Sequence, residues 1–156
     1  MNRGLTLVGL YGPPEQWLAV LTTMRGDGQP SVSVVNAGLL PHPVTGEPVI
    51  AFVARGATAK LANLRRRPEA VLTFRHGWEW VAAHGTTQLA GPDDELAGLS
   101  PDAHRQLLRD VYAAAGGRHP DLEEYDRVMA AERRVAVLLR PVRFAANPPG
   151  TEHQEH

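Results

Sequence analysis

One short stretch, residues 55–63, contains the residue types that bind a phosphate group. It offers two cations, Arg55 and Lys60, a hydroxyl at Thr58, and a glycine turn that leads into a predicted helix. The first N–H groups of a helix lack intrahelical partners, and the helix dipole attracts anions to that end. Asn63 follows Lys60 by three residues and shares its helix face. The pattern predicts an anion site, although a capped surface helix with solvated cations has the same sequence pattern.

A pair of tryptophans, Trp78 and Trp80, forms the second feature with chemical potential. They are two residues apart on one predicted strand, so both side chains lie on the same face of the sheet. Such a pair makes a flat wall suited to an aromatic ring system. Packing in the core or at a subunit interface accounts for the pair equally well.

Other kinds of catalytic site find no support in the sequence. The chain has no cysteine, which excludes disulfides, thiolate nucleophiles and Cys-ligated metals. Its seven histidines show no helical pair with metal-ligand spacing, and no metal site is expected. Ser31 and Ser33 have neither a nucleophile elbow nor an identifiable base. Redox chemistry would therefore have to come from a bound cofactor.

Composition narrows the function further. The chain of 156 residues is the size of one domain, and its 43% apolar residues are enough for a core. Sixteen basic and seventeen acidic residues give a net charge of −1, which disfavours nucleic-acid binding. Arg65, Arg66 and Arg67 are interpreted as the solvated end of a helix. No stretch is long and apolar enough to span a membrane, so a cytoplasmic protein is expected.

The elements that must position these residues are mostly strands. Predicted strands cover residues 17–25, 31–40, 49–54, 70–74, 78–89 and 134–145, and predicted helices cover residues 3–10, 57–67, 101–115 and 120–133. The second and third strands are expected to pair, and Gly85 predicts a bulge. Six strands in hairpin order predict a mainly β protein with helices, built as an antiparallel six-stranded barrel.

Several of these segments together resemble a known family. Residues 55–70 and 78–87, the opening at residues 21–30 and the ending at residues 133–150 look like the pyridoxamine-5′-phosphate-oxidase-like split β-barrel family. Within it, the chain is most similar to the flavin and deazaflavin oxidoreductase B branch, whose members typically bind coenzyme F420. The resemblance implies one cofactor-binding domain over residues 1–150 and a homodimer. Independently of it, residues 151–156 are expected to form a flexible tail.

The resemblance also implies which residues hold the cofactor. Its phosphate group would be bound by Arg55, Thr58 and Lys60, with backbone contacts from Ala54 and Ala59 and support from Asn63. Its ring system would lie against Ser33, Val34 and Val35, while the partner subunit would contribute Trp78 and Trp80. Residues 35–38 are small where many relatives have an aromatic or larger polar group, which changes the expected shape of the substrate pocket.

The activity that follows from this resemblance is hydride transfer between reduced F420 and an electron-poor small-molecule substrate. Two alternatives stay open: an FMN-binding oxidoreductase of the same family, and a non-catalytic F420 carrier. The family binds the phosphate of both cofactors in a similar way, and retention of Lys60 favours the deazaflavin. No general acid is defined by the sequence, and His76, His84 and Tyr112 are the candidates for a proton donor.

Overall fold

Seven strands and four helices make up residues 2–147, which are the part of the chain that the computed structural model describes. In chain order they are α1 (Arg3–Tyr11), a 3-10 turn (Pro13–Glu15), β1 (Leu18–Met24), β2 (Pro30–Asn36), β3 (Gly38–Pro41), β4 (Pro48–Ala54), α2 (Ala59–Arg66), β5 (Glu69–His76), β6 (Glu79–Ala90), α3 (Pro101–Ala114), α4 (Leu122–Ala131) and β7 (Val135–Ala146). The predicted tail at residues 151–156 lies outside the described residues.

All strand pairs in the sheet are antiparallel, in the order β2-β1-β5-β6-β7-β4-β3. The two edge strands, β2 and β3, are consecutive in the chain, and β2 also contacts β4 across the opening between them. The sheet therefore curls into a barrel that stays open along one seam. This confirms the predicted split barrel, but the number of strands is seven and the prediction of six was wrong.

The extra strand arises because residues 31–40 do not run straight. At Ala37 the chain leaves the ladder, and its N–H donates to the Trp17 carbonyl at 2.9 Å. At Gly38 the backbone passes so close to α3 that a Cβ atom would overlap the Ala114 carbonyl. The segment before this kink pairs with β1 and the segment after it pairs with β4. The predicted pairing with residues 49–54 thus holds for β3 alone.

Two apolar clusters explain why β4 and β7 are continuous apolar runs. Inward side chains such as Phe52 and Val137 fill the barrel together with Leu21 and Leu72. Outward side chains of the same strands pack under α3, with Leu138 among them. A strand covered on both faces has no solvent side, so its sequence lacks polar alternation. Residues 49–54 were predicted as a fully buried strand on that ground, and six of the seven β4 positions are at least half buried.

Local turn and bulge signals agree with the structure. The Ser100 hydroxyl caps α3 by accepting from the Ala103 N–H at 3.1 Å, which confirms that helix start. The register shifts between His84 and Gly85, where the opposite strand carries an additional residue after Pro141. This confirms the predicted bulge. No helix in residues 2–147 combines the length and apolarity that crossing a bilayer requires.

The β5–β6 hairpin differs from its prediction by one residue. Its turn occupies Gly77, at φ 61°, and Trp78, so β6 begins at Glu79. Trp78 is 72% exposed and Trp80 is 37% exposed. The interpretation of both tryptophans as neighbours on one strand was wrong, because the left-handed glycine requires a second turn residue before the ladder resumes.

Candidate functional site

A crevice of ≈ 290 Å³ lies at the open seam of the barrel, between β2, β4 and the helices. Its apolar wall comes from the valines of two strands and from α3 and α4. Its polar groups come from the first turn of α2, the residue before β7, the end of β2 and the tyrosines of the two helices. It is lined by Val34, Val35, Asn36, Val53, Lys60, Val111, Tyr112, Ala115, Tyr125, Met129 and Arg134. An apolar cleft with a few convergent polar groups is the usual form of a ligand site.

The first turn of α2 has unused hydrogen-bond donors. Thr58 occupies the N-cap position but makes no side-chain capping bond. Its Oγ1 atom is buried and has no hydrogen-bond partner within residues 2–147. A buried hydroxyl without a partner costs about 1–3 kcal/mol. The uncapped N–H groups and the unpartnered hydroxyl fit an oxyanion bound at this helix end.

Cations outnumber carboxylates around this turn. Lys60 forms no ion pair with any residue of the described chain, and it is half buried in the crevice wall. Arg55 and Arg134 share one carboxylate, Glu132, at 3.3 Å from the Arg55 Nε and 2.6 Å from an Arg134 guanidinium nitrogen. Hydrogen bonding from Arg134 lowers the pKa of Glu132, with a further contribution from Arg55. Three cations against one anion leave this end of the crevice positive.

Asn63 is placed differently from its predicted neighbours. It is buried, and its Nδ2 donates to the Thr23 hydroxyl of β1 at 3.2 Å, while its Oδ1 accepts from Arg66 at 2.6 Å. Both ends of the amide are therefore used within the protein. Asn63 fixes α2 to the barrel wall, and by this route it positions Lys60.

Among the residues predicted to contact a ring, Val34 and Val35 line the crevice and Ser33 does not. Val34 is 63% exposed on the outer face of β2, whereas Val35 points into the core. Trp80 lies on β6, three strands away from β2 in the sheet order. At about 4.8 Å per strand this is roughly 14 Å. A single subunit does not bring the tryptophans to the crevice.

Of the three candidate proton donors, the structure places one, Tyr112, in the crevice wall. Its hydroxyl donates to the Arg118 carbonyl at 3.2 Å. His76 is exposed and bonded to Glu15 at 3.0 Å. His84 lies on another face of the sheet, where burial, followed by the charge of Arg143, lowers its pKa.

Larger cavities lie elsewhere in residues 2–147: two of ≈ 380 Å³ beside β7, one of ≈ 630 Å³ between α3 and α4, and one of ≈ 670 Å³ beside the loop before α3. The last two are the largest of these. Several of their charged groups are already paired within the protein, with Asp126 held by Arg109 and Asp94 held by Arg65. Size favours these cavities, and Arg127, which lines the cavity between α3 and α4, also forms no ion pair within residues 2–147. The crevice differs because it adjoins the start of α2, where the buried Thr58 hydroxyl has no partner. We therefore take the crevice as the candidate site. Within residues 2–147, no three His, Asp or Glu side chains come together as metal ligands.

The family model of pyridoxamine 5′-phosphate oxidase matches residues 13–143, which is most of the chain. The chain belongs to this family. No curated protein is significantly similar to this family member in sequence.

Solved structures share the fold of this oxidase-family chain at low sequence identity. A conserved hypothetical protein, Rv2991, from Mycobacterium tuberculosis is 17% identical, with a TM-score of 0.67 over 100% of this chain and 92% of its own. An F420 reductase is 17% identical, with a TM-score of 0.57 over 83% and 90%. A pyridoxamine 5′-phosphate oxidase-related, FMN-binding protein from Nostoc punctiforme is 18% identical, with a TM-score of 0.63 over 92% and 82%.

Sequence reasoning missed Glu132 and Arg134 as site residues in this member of the oxidase family, and it considered Asn36 only as one of the small residues at 35–38. Glu132 fell near the end of the predicted helix at residues 120–133, and Arg134 was the first residue of the predicted strand at residues 134–145. They reach the site because Ala54, at the end of β4, pairs with Val135, at the start of β7. The sequence does show charged residues directly before the last strand. They indicate a site only once the pairing of β4 with β7 is known, because that pairing brings them beside α2.

Proposed function

We propose that this chain is a coenzyme F420-dependent oxidoreductase that transfers hydride between the reduced deazaflavin and an electron-poor small molecule. The observation that carries the proposal is Lys60, which forms no ion pair within residues 2–147 and lines a crevice with both apolar and polar walls, beside a helix start whose Thr58 hydroxyl has no partner. This arrangement suits a ligand that joins a phosphate to a flat apolar ring. Membership of an oxidase family and a structural neighbour that is an F420 reductase add support.

The residues around α2 have a simple task in this proposal. Thr58 and Lys60 bind the phosphate, together with the N–H groups of the first helical turn, and backbone contacts come from Ala54 and Ala59. Arg55 is exposed and bound to Glu132 at one nitrogen, so its other donors stay available. Asn63 keeps the helix in place through Thr23. Charge-assisted bonds of this kind contribute about 1.5–3 kcal/mol each.

The crevice walls orient the ring and exclude water. Val34 and Val35 form the β2 side, next to Ser33, and Tyr112 and Met129 form the helical side. When bound, the reduced deazaflavin supplies the hydride, and its fixed position lets a substrate meet it in reacting geometry. The hydroxyls of Tyr112 and Tyr125 lie in this wall, and each donates its proton to a backbone carbonyl, so Tyr112 would deliver a proton to the substrate only after leaving the Arg118 carbonyl.

The proposal includes a homodimer. Leu18, Val20, Val32 and Val34 lie side by side on the outer face of β1 and β2, and each is at least 39% exposed. A row of exposed aliphatic side chains on a sheet indicates an interface. A partner subunit on this face would bring its own Trp78 and Trp80 toward the crevice, which one subunit alone does not do.

FMN is the second candidate cofactor. The groups at α2 recognise a phosphate and do not distinguish one ring from the other, and one structural neighbour is an FMN-binding protein. An FMN-dependent oxidoreductase would use the same crevice and the same cations.

Parallel titrations test the proposal. Purified protein is titrated with oxidised F420 and with FMN, following ligand fluorescence, and reduced F420 is then offered with quinone, enone and tetrapyrrole acceptors. Tight F420 binding with oxidation of the reduced cofactor by an acceptor supports the proposal. Stoichiometric FMN without F420 binding replaces it with the FMN enzyme. F420 binding without any turnover favours a cofactor carrier.

A further inference from the structure

Asn36 stands at the end of β2 and holds three segments together. Its Nδ2 donates to the Gln16 carbonyl at 2.9 Å and to the Ala115 carbonyl at 3.0 Å. Gln16 belongs to the turn before β1, and Ala115 ends α3. Both acceptors are carbonyl oxygens, so the amide nitrogen must face them and the side chain cannot be flipped.

The same two bonds fix the position of the Asn36 Oδ1 atom. The amide group is planar, and with both N–H groups engaged its oxygen lies on the opposite edge. Oδ1 accepts no hydrogen bond from residues 2–147, and Asn36 lines the crevice together with Lys60. Besides the hydroxyl oxygens of Tyr112 and Tyr125, the side chains of the crevice therefore include one amide oxygen whose orientation is fixed by two bonds, whereas Lys60 and Arg134 offer donors only.

We propose that Asn36 Oδ1 is a specificity-determining acceptor for the imide N–H of the ring. This inference rests on the proposed function, which places a flavin or deazaflavin ring against the neighbouring Val34 and Val35. The pyrimidine edge of both rings carries one imide N–H between two carbonyl groups. A fixed acceptor binds this N–H without ordering cost, and it rejects a ring that carries a methyl group at that nitrogen.

The test compares each ligand with its counterpart methylated at the imide nitrogen, using F420 and FMN. Asn36 is exposed, so the lost hydrogen bond is only part of the effect; the added methyl group also clashes with an acceptor that is held in place. Together they predict that the wild-type protein binds the methylated ligand roughly tenfold more weakly. In Asn36→Ala this ratio should fall to within about twofold, because the acceptor is gone. This ratio shows whether Asn36 contacts the imide N–H or only supports the crevice. If Asn36 only supported the crevice, its loss would weaken the binding of both ligands equally.

Met129→Ala is the matched control. It removes apolar contact from the α4 side of the same crevice and leaves Asn36 and both of its carbonyl partners, Gln16 and Ala115, in place. It should weaken both ligands of a pair and keep the roughly tenfold ratio. A ratio that persists in Asn36→Ala overturns the assignment and leaves the proposed function standing. Failure of the wild-type protein to bind either F420 or FMN overturns the proposed function itself.

Discussion

Replacement of Lys60 by methionine tests the anion site most directly. Lys60→Met keeps the length and the apolar stem of the side chain and removes only the ammonium group. Because Lys60 has no ion pair in the described chain, a phosphate gains its full charge-assisted bond, which is about 1.5–3 kcal/mol. A loss of 1.4 kcal/mol in binding free energy raises the Kd tenfold. The side chain is partly exposed to solvent, which screens the charge, so we expect the lower part of the range, a loss of about 10- to 30-fold.

The assay is fluorescence titration of oxidised F420 at two salt concentrations. Arg67→Met is the control, since Arg67 is an exposed cation at the other end of α2, about 10 Å along the helix. It changes the net charge equally and should bind F420 like the wild-type protein. Added salt should weaken the wild-type protein more than Lys60→Met. A Kd for Lys60→Met within twofold of wild type, or an equal loss in Arg67→Met, would refute the reasoning.

Three further outcomes follow from the structure. Glu132→Gln removes the carboxylate that competes for Arg55 and Arg134, so it should tighten F420 binding about fivefold. The control Glu124→Gln on α4 should leave the Kd unchanged. If Glu132→Gln bound F420 no more tightly than the wild-type protein, the charge balance proposed for the crevice would be wrong. Gly38→Ala drives a Cβ into the Ala114 carbonyl and should lower the free energy of unfolding by about 1–3 kcal/mol in urea, and an unchanged midpoint would count against this contact. Val32→Asp should convert the proposed dimer to a monomer in light scattering, and a variant that stays dimeric would remove that face as the interface.

Much of the fold was predictable because local signals decide it. Neighbouring residues, or the burial of the strand itself, determine three of the predicted features. These are the apolar run at residues 49–54, the Ser100 cap and the bulge at Gly85. The kink at Ala37 depends on α3, which lies far along the chain and packs against Gly38. Long-range docking of that kind leaves no periodicity in the sequence, so residues 31–40 were predicted as one strand.

The site was predictable to a similar extent. Residues 55–60 are contiguous, and a strand end followed by a helix start was visible in their types. Asn63 shows what the sequence could not predict. Helical spacing places Asn63 near Lys60, but it does not reveal that the Asn63 amide donates to the Thr23 hydroxyl. Arg134 and Asn36 come from distant segments, and only the closure of the sheet brings them to the same crevice.

The strand order also has a consequence during synthesis of the chain. Ile50 pairs with Leu139, so the inner edge of β4 finds its partner only when the last strand has left the ribosome. Until then the nascent polypeptide exposes a long apolar edge, which is the kind of surface that chaperones bind and that aggregates form on. The proposed cofactor cannot template early folding, since its crevice includes residues of α3, α4 and Arg134 that are synthesised late.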